Sequence, residues 1–235
     1  MWNGKNKALT FSFDDGVLQD IRLIEIFNKY GLKSTFNLNS GLLGRDIYLD
    51  REGVRVEHFK HKPEDIKRIY EGHEVAAHTI KHKVLTTIED DAELIRTVEE
   101  DRLALSDLVG YEVVGMAYPG DGKNPSNDDR VVNLIKNNTG IKYSRITAPT
   151  KNFDGCEDLL RYRPTLSFHN HWNELFEFGK QFAELKTDTP KIFYVWGHAY
   201  EFDIYPERWE LFEEFCKQIS GKDDIFYGTN KEVLL

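Results

Sequence analysis

Two spacings of apolar residues alternate along the chain. Residues 8–13, ALTFSF, put Leu9, Phe11 and Phe13 at every second position, the period of a strand. Leu18, Ile21, Ile24 and Phe27 then follow helical spacing, and Gly31 offers the left-handed stop a helix end needs. The same alternation continues. KSTFNLN, HEVAAH, YEVVGMAYP, GIKYSRI and KIFYVW read as strands. Helical patterns cover a short stretch behind Pro63, then residues 88–109, 127–138, 172–186 and 206–219. DIFYGTNKEVLL closes the chain as a strand and a turn, while residues 40–60 and 147–171 read as irregular insertions. No repeat, linker or low-complexity tract interrupts the pattern.

Repeated strand–helix alternation predicts an α/β fold with a largely parallel sheet, one domain over residues 1–235. Chemistry in such folds gathers at the carboxyl ends of the strands. Four strands deliver polar or turn residues there: Asp14 and Asp15, His78 and His82, Tyr118 to Gly120, and Gly197 with His198.

Composition narrows the partners. The 235 residues include 31 basic and 40 acidic ones, a formal net charge of −9, which disfavours nucleic acid as a ligand. The hydrophobic share of 40% suits a globular core. Cys156 and Cys216 form no metal-binding pair and read as two buried thiols. The opening MWNGKNKALT lacks the apolar core of a secretory signal, and no apolar run reaches the ~20 residues of a membrane span. The expectation for the chain as written is a soluble, cytoplasmic protein; its oligomeric state is not readable.

In HTIKH, His78 and His82 stand four apart, so on a helical turn both imidazoles could reach one ion. Such a pair also arises by chance. In FDDG, Gly16 permits a tight turn that could aim both carboxylates inward, and a cation would relieve their repulsion. The simpler alternative is that Asp14 or Asp15 caps the helix that follows. Of the other histidines, His58 and His61 sit in a charged stretch and are expected to be solvated. His73 reads as structural, and His169 and His171 as the polar start of a helix, with substrate binding as the alternative.

Taken together, the motifs resemble the polysaccharide deacetylase family, the NodB homology domain of carbohydrate esterase family 4. TFSFDDG resembles its first motif and GHEVAAHTIKH its second; AYPGDG looks like a variant of the third and WGH like the last. They fall in family order over residues 10–198. The resemblance implies a distorted (β/α) barrel of about seven strands. It implies that Asp15, His78 and His82 bind a divalent metal, zinc foremost, with cobalt, nickel or manganese as alternatives. Asp14 would be the general base and His198 the general acid. The backbone near Gly120 would hold the oxyanion. Beside such a site Tyr118, Trp196 and Tyr200 could stack on a sugar ring, with core packing the simpler alternative. The substrate implied is an acetylated carbohydrate, with removal of N-acetyl groups from an amino sugar as the leading expectation. O-acetyl ester removal from a polysaccharide such as xylan, and a sugar-binding barrel that has lost turnover, are the alternatives.

Two features depart from the family pattern. An arginine usually braces the base from the third motif, where this chain has Met116 and Ala117; Arg161 and Arg163 are the candidates to replace it. The fourth-motif aspartate that orients the acid histidine has no counterpart in RPTLSFHNHW.

Overall fold

The first strand, β1 (Lys7–Asp14), is buried at every position. The computed structural model describes residues 2–120, 125–169 and 171–235. In chain order the helices are α1 (Asp20–Lys29), α2 (Ile66–Ile69), α3 (Asp91–Val109), α4 (Asp129–Asn138), α5 (Trp172–Glu184), α6 (Glu207–Ile219) and α7 (Asn230–Leu234). The remaining strands are β2 (Ser34–Leu38), β3 (Asp46–Arg51), β4 (Val54–Phe59), β5 (Glu74–Ala77), β6 (Gly115–Ala117), β7 (Tyr143–Arg145), β8 (Leu166–Ser167), β9 (Lys191–His198) and β10 (Ile225–Tyr227).

The main sheet is parallel throughout and runs β7-β6-β5-β2-β1-β9-β8, with β10 added against the start of β1. Its seven-strand path curls into a half-barrel backed by helices, the distorted (β/α) barrel expected. The two ends of the path are tied by the chain between them. Tyr162 N–H donates to Ser144 O of β7 (2.8 Å), and Thr165 N–H donates to Tyr194 O of β9 (2.8 Å). Because all strands point the same way, their carboxyl ends share one rim.

Beneath that rim lies an aromatic core. Phe13, fully buried, packs against Phe27, Phe36, Phe168, Phe202 and Phe212, with ring centroids 5.5–6.2 Å apart. Residue-by-residue alternation on β1 therefore sets Phe13 into apolar packing and Asp14 onto the opposite side.

Three expectations change. The stretch 40–60 is not an irregular insertion but carries the antiparallel hairpin β3–β4, registered from Asp46↔Phe59 to Arg51↔Val54. Its two-residue turn is Glu52–Gly53, both left-handed (φ 51° and 78°), and the glutamate disguised a hairpin that Asn-Gly would have announced. Helix α1 starts only at Asp20, because Val17 first pairs with Lys60 in an isolated antiparallel bridge and Leu18 N–H donates to Phe59 O (2.9 Å). Leu18 and Ile21 thus stay exposed, while Leu23, Ile24, Ile26 and Phe27 form the buried face. The chain ends in α7 rather than a turn, opened by a Thr229–Glu232 capping box. Cys156 and Cys216 are both free thiols, but only Cys216 is buried; Cys156 is partly exposed. Among the described residues no helix is long and apolar enough to cross a membrane.

Candidate active site

Sheet register assembles the rim. Asp14, last in β1, stands opposite His198 of β9 on one side and Asn37 of β2 on the other. Asn37 Nδ2 donates to Asp14 Oδ1 (2.8 Å), and Arg145 Nη2 donates to Asp14 Oδ2 (2.5 Å). Arg145 is fully buried, and its guanidinium lies over the Trp196 ring, 4.2 Å from the centroid. Burial pushes the Asp14 carboxyl up, but Arg145, with His78 and His198, outweighs it and leaves the group below its ordinary value.

The brace is therefore neither Arg161 nor Arg163. Arg161 pairs with Asp129 (2.5 Å) and Asp158, and Arg163 donates to the carbonyls of Ala148 and Pro149. Both lie in the segment after β7 and are spent on loops. Arg145 takes the place by a one-strand shift: in the β6–β7 pair, Ala117 is the register partner of Arg145. The signal was its position at the end of the strand GIKYSRI, where strand-end residues gather.

Asp15 leaves the sheet. Its φ is 87°, a left-handed conformation costly for a residue with a Cβ, and Gly16 follows at φ 64°. A Cβ on Gly16 would lie 2.9 Å from Leu38 Cγ, so glycine is required there. This turn sends the two adjacent carboxylates to different partners. Neither caps α1, whose N-cap is Gln19 without a side-chain cap bond.

His78 and His82 come from a turn after β5, not from helix. Thr79 and His82 are left-handed (φ 63° and 53°), yet the two imidazoles meet with centroids 4.7 Å apart. His78 is fixed from both sides. Its N–H donates to Asp101 Oδ2 of α3 (3.0 Å) and its ring Nδ1 to Ala117 O (2.8 Å). That tautomer leaves Nε2 with a lone pair, buried and without a hydrogen-bond partner among the described residues. Burial holds His78 neutral, down to about 4, and pushes Asp101 up to about 6. One ligand atom each from Asp15, His78 and His82 lies within 4.8 Å of the others. An orphaned imidazole lone pair, a second imidazole and an ionised carboxylate converging in this way fit a divalent cation.

Across Asp14, His198 Nε2 lies 4.0 Å from Asp14 Oδ2. Its Nδ1 is 3.1 Å from Glu201 Oε1, three residues on in the turn after β9. Glu201, legible in WGHAYE, thus gives His198 Nδ1 a carboxylate partner although RPTLSFHNHW supplies no aspartate for it. His169 Nδ1 reaches the same oxygen at 3.1 Å, so this residue turns toward the site instead of simply opening α5. Burial alone would lower His198, but Glu201 and the two aspartates push it up to about 9. Glu201, which burial would raise, falls to about 2 beside His198 and His169.

A cavity of about 460 Å³ opens on these groups, lined by Asp14, His78, His82 and His198, and by Tyr118, Gly120 and Trp196. Asp121 and Gly122 of the third motif lie outside the described residues. His58 and His61 are buried, not solvated: His58 Nε2 is 3.2 Å from Asp15 Oδ2, and the unrecognised hairpin brought it there. His73 is structural, accepting from Ser34 N–H at Nδ1 (3.2 Å).

The polysaccharide deacetylase profile matches residues 3–144, more than half of the chain. The protein belongs to the polysaccharide deacetylase family, hydrolases of acetylated carbohydrate. No curated protein matches it in sequence. Among solved structures it is similar to a probable polysaccharide deacetylase from Pseudomonas aeruginosa PAO1 (TM-score 0.72, 15% identity, 99% of this chain and 91% of that one). A family 4 carbohydrate esterase from Streptomyces lividans, in complex with acetate, gives TM-score 0.58 at 13% identity over 96% and 93%. A family 4 acetyl xylan esterase from Clostridium thermocellum, in complex with a cobalt ion, gives 0.59 at 12% over 97% and 90%. At such identities the likeness is one of fold.

Proposed function

We propose that this chain hydrolyses the N-acetyl group of an acetylated amino sugar, with Asp14 as base, His198 as acid, and a divalent metal held by Asp15, His78 and His82. The observation that carries the reading is the arrangement around Asp14. Its carboxylate is held ionised by Arg145 and Asn37 between the Asp15–His78–His82 set and His198.

A bound ion would supply Lewis acidity and a more acidic water. The chain's own residues do the rest. Asp14 Oδ2 receives the proton of the attacking water, and Arg145 fixes that oxygen in place. His198 Nε2–H protonates the departing nitrogen, and Glu201 keeps that proton available up to about pH 9. Tyr118 N–H is committed to Arg145 O (3.0 Å), so the backbone N–H of Gly120, which lines the cavity, is the donor proposed for the oxyanion. Trp196, buttressed by Arg145, walls the cavity against the sugar or its acetyl group.

The well-oriented acid favours amide over ester, because an amine leaves only when protonated whereas an alcohol needs less help. Acetate release from N-acetylated chito-oligosaccharide and from O-acetylated xylan, each with and without chelator, tests the reading. The expected result is chelator-sensitive release from the amide substrate, restored by zinc or cobalt. Sugar binding without acetate from either substrate would instead mark a binding barrel.

A further inference from the structure

Each carboxylate of the Asp14–Asp15 pair already has a cation of its own. Arg145 serves Asp14. Asp15 has Lys60, which follows β4 and is buried almost completely. Lys60 Nζ donates to Asp15 O (2.5 Å) and lies 3.4 Å from Asp15 Oδ1. His58 Nε2 covers the other carboxylate oxygen at 3.2 Å and lies 3.4 Å from Lys60 Nζ. Backbone fixes the ammonium there: Lys60 N–H donates to Arg45 O (2.8 Å), and the Val17↔Lys60 bridge ties it to the turn that carries Asp15. Lys60 thus balances the charge of the carboxylate that also faces His82 Nε2, 3.9 Å from Asp15 Oδ1.

We propose that Lys60 is a built-in competitor for the metal: it satisfies Asp15 when no ion is bound and weakens the site's affinity for a divalent cation. This rests on the reading that Asp15, His78 and His82 hold the metal. The charge balance argues for it. Asp14 with Arg145 and Asp15 with Lys60 sum to zero, as do His198 and Glu201. Among the described residues, a divalent ion held there therefore meets an ammonium just behind the carboxylate of its proposed ligand set. Without Lys60 the Asp15 carboxylate would lose its ammonium partner and keep its negative charge for the ion, the usual state for a carboxylate that binds cations tightly. The consequence is a site that loads only when metal is plentiful and releases it readily.

The test is a titration of the metal-free 235-residue chain with Zn²⁺ or Co²⁺ alone. Calorimetry or competition against a chromophoric chelator gives Kd, and the Co²⁺ absorption spectrum reports the ligand set. Lys60→Met is expected to bind at least about tenfold more tightly than wild type, and Lys60→Arg, which keeps the charge, within about threefold of it. Should the Met variant fail to melt cooperatively, Lys60→Gln repeats the test with the charge removed and a donor to Asp15 O retained. Equal or weaker binding by the neutral variants, while His78→Ala abolishes binding, would overturn the role of Lys60 alone. Binding by neither wild type nor the neutral variants would overturn the ligand set, and this proposal with it.

Discussion

Asp14 stays ionised inside the protein because β2 and β7 each send it a hydrogen-bond donor, Asn37 and Arg145, with His198 of β9 4.0 Å away. Removing one partner of a buried ion pair leaves the other uncompensated, at a cost of about 3–5 kcal/mol. Arg145→Met should therefore lower Tm by roughly 10 °C, at about 2–4 °C per kcal/mol for a chain of this size. The same variant leaves burial as the dominant influence on Asp14, so its pKa rises and the acid limb of the kcat/KM profile moves to higher pH. A purely structural role for Arg145 would change Tm and leave that limb in place. At His198 the sign is opposite. The histidine is raised to about 9, so its contribution to stability is complete below about 6.5 and disappears as pH rises through about 9. Glu201→Gln removes the largest influence that raises it. The alkaline limb of kcat should then fall by one to two units, leaving the rate at pH 6 far less affected than the rate at pH 8.5. An unmoved alkaline limb in that variant would remove His198 from the role of acid.

The turn after β1 converts sequence adjacency into two separate sites. Asp15 and Gly16 are both left-handed, and Gly16 has no room for a side chain beside Leu38. Gly16→Ala should cost about 1–3 kcal/mol and, by swinging Asp15, weaken metal binding as well, both readable by melting and titration. At this scale the strands, the helices and the motifs on their ends are legible in the sequence, since β1, β2, β5 and β9 are short, apolar and bounded by turns. The hairpin β3–β4 is not. Its alternation is diluted by charged residues facing water, and its turn is Glu-Gly. Losing the hairpin also hid His58 and Lys60, which reach Asp15 only because β4 ends beside Val17. The place of Arg145 is not legible for a related reason: register decides that it neighbours Ala117, and register is a property of the sheet, not of the local sequence. Glu201 needed only the i+3 geometry of a tight turn.

In the whole molecule, the family match ends at residue 144, yet the site does not. His198, Glu201 and Trp196 belong to later residues, and β9 pairs with β1 along its full length. The far end of the chain is built in as firmly. Asn230 Oδ1 accepts from Thr10 Oγ1 (2.8 Å), its N–H donates to Thr35 Oγ1 (2.8 Å), and Lys231 N–H donates to buried Glu74 (2.9 Å). Deleting residues 225–235 removes β10 and α7, strips these partners from the floor of the half-barrel, and should abolish the cooperative thermal transition. A truncated chain that melts cooperatively within a few degrees of the full one would show that the floor is dispensable.

The central claim is that the groups converging on Asp14 perform hydrolysis of an N-acetyl group. The most direct measurement is acetate release from N-acetylated chito-oligosaccharide by zinc-loaded wild type and Asp14→Asn, with the free amine counted in parallel. The account predicts equimolar acetate and amine from wild type, and a rate at least about 10²-fold lower for the variant at unchanged metal content. Asp14→Asn turning over at the wild-type rate would contradict it.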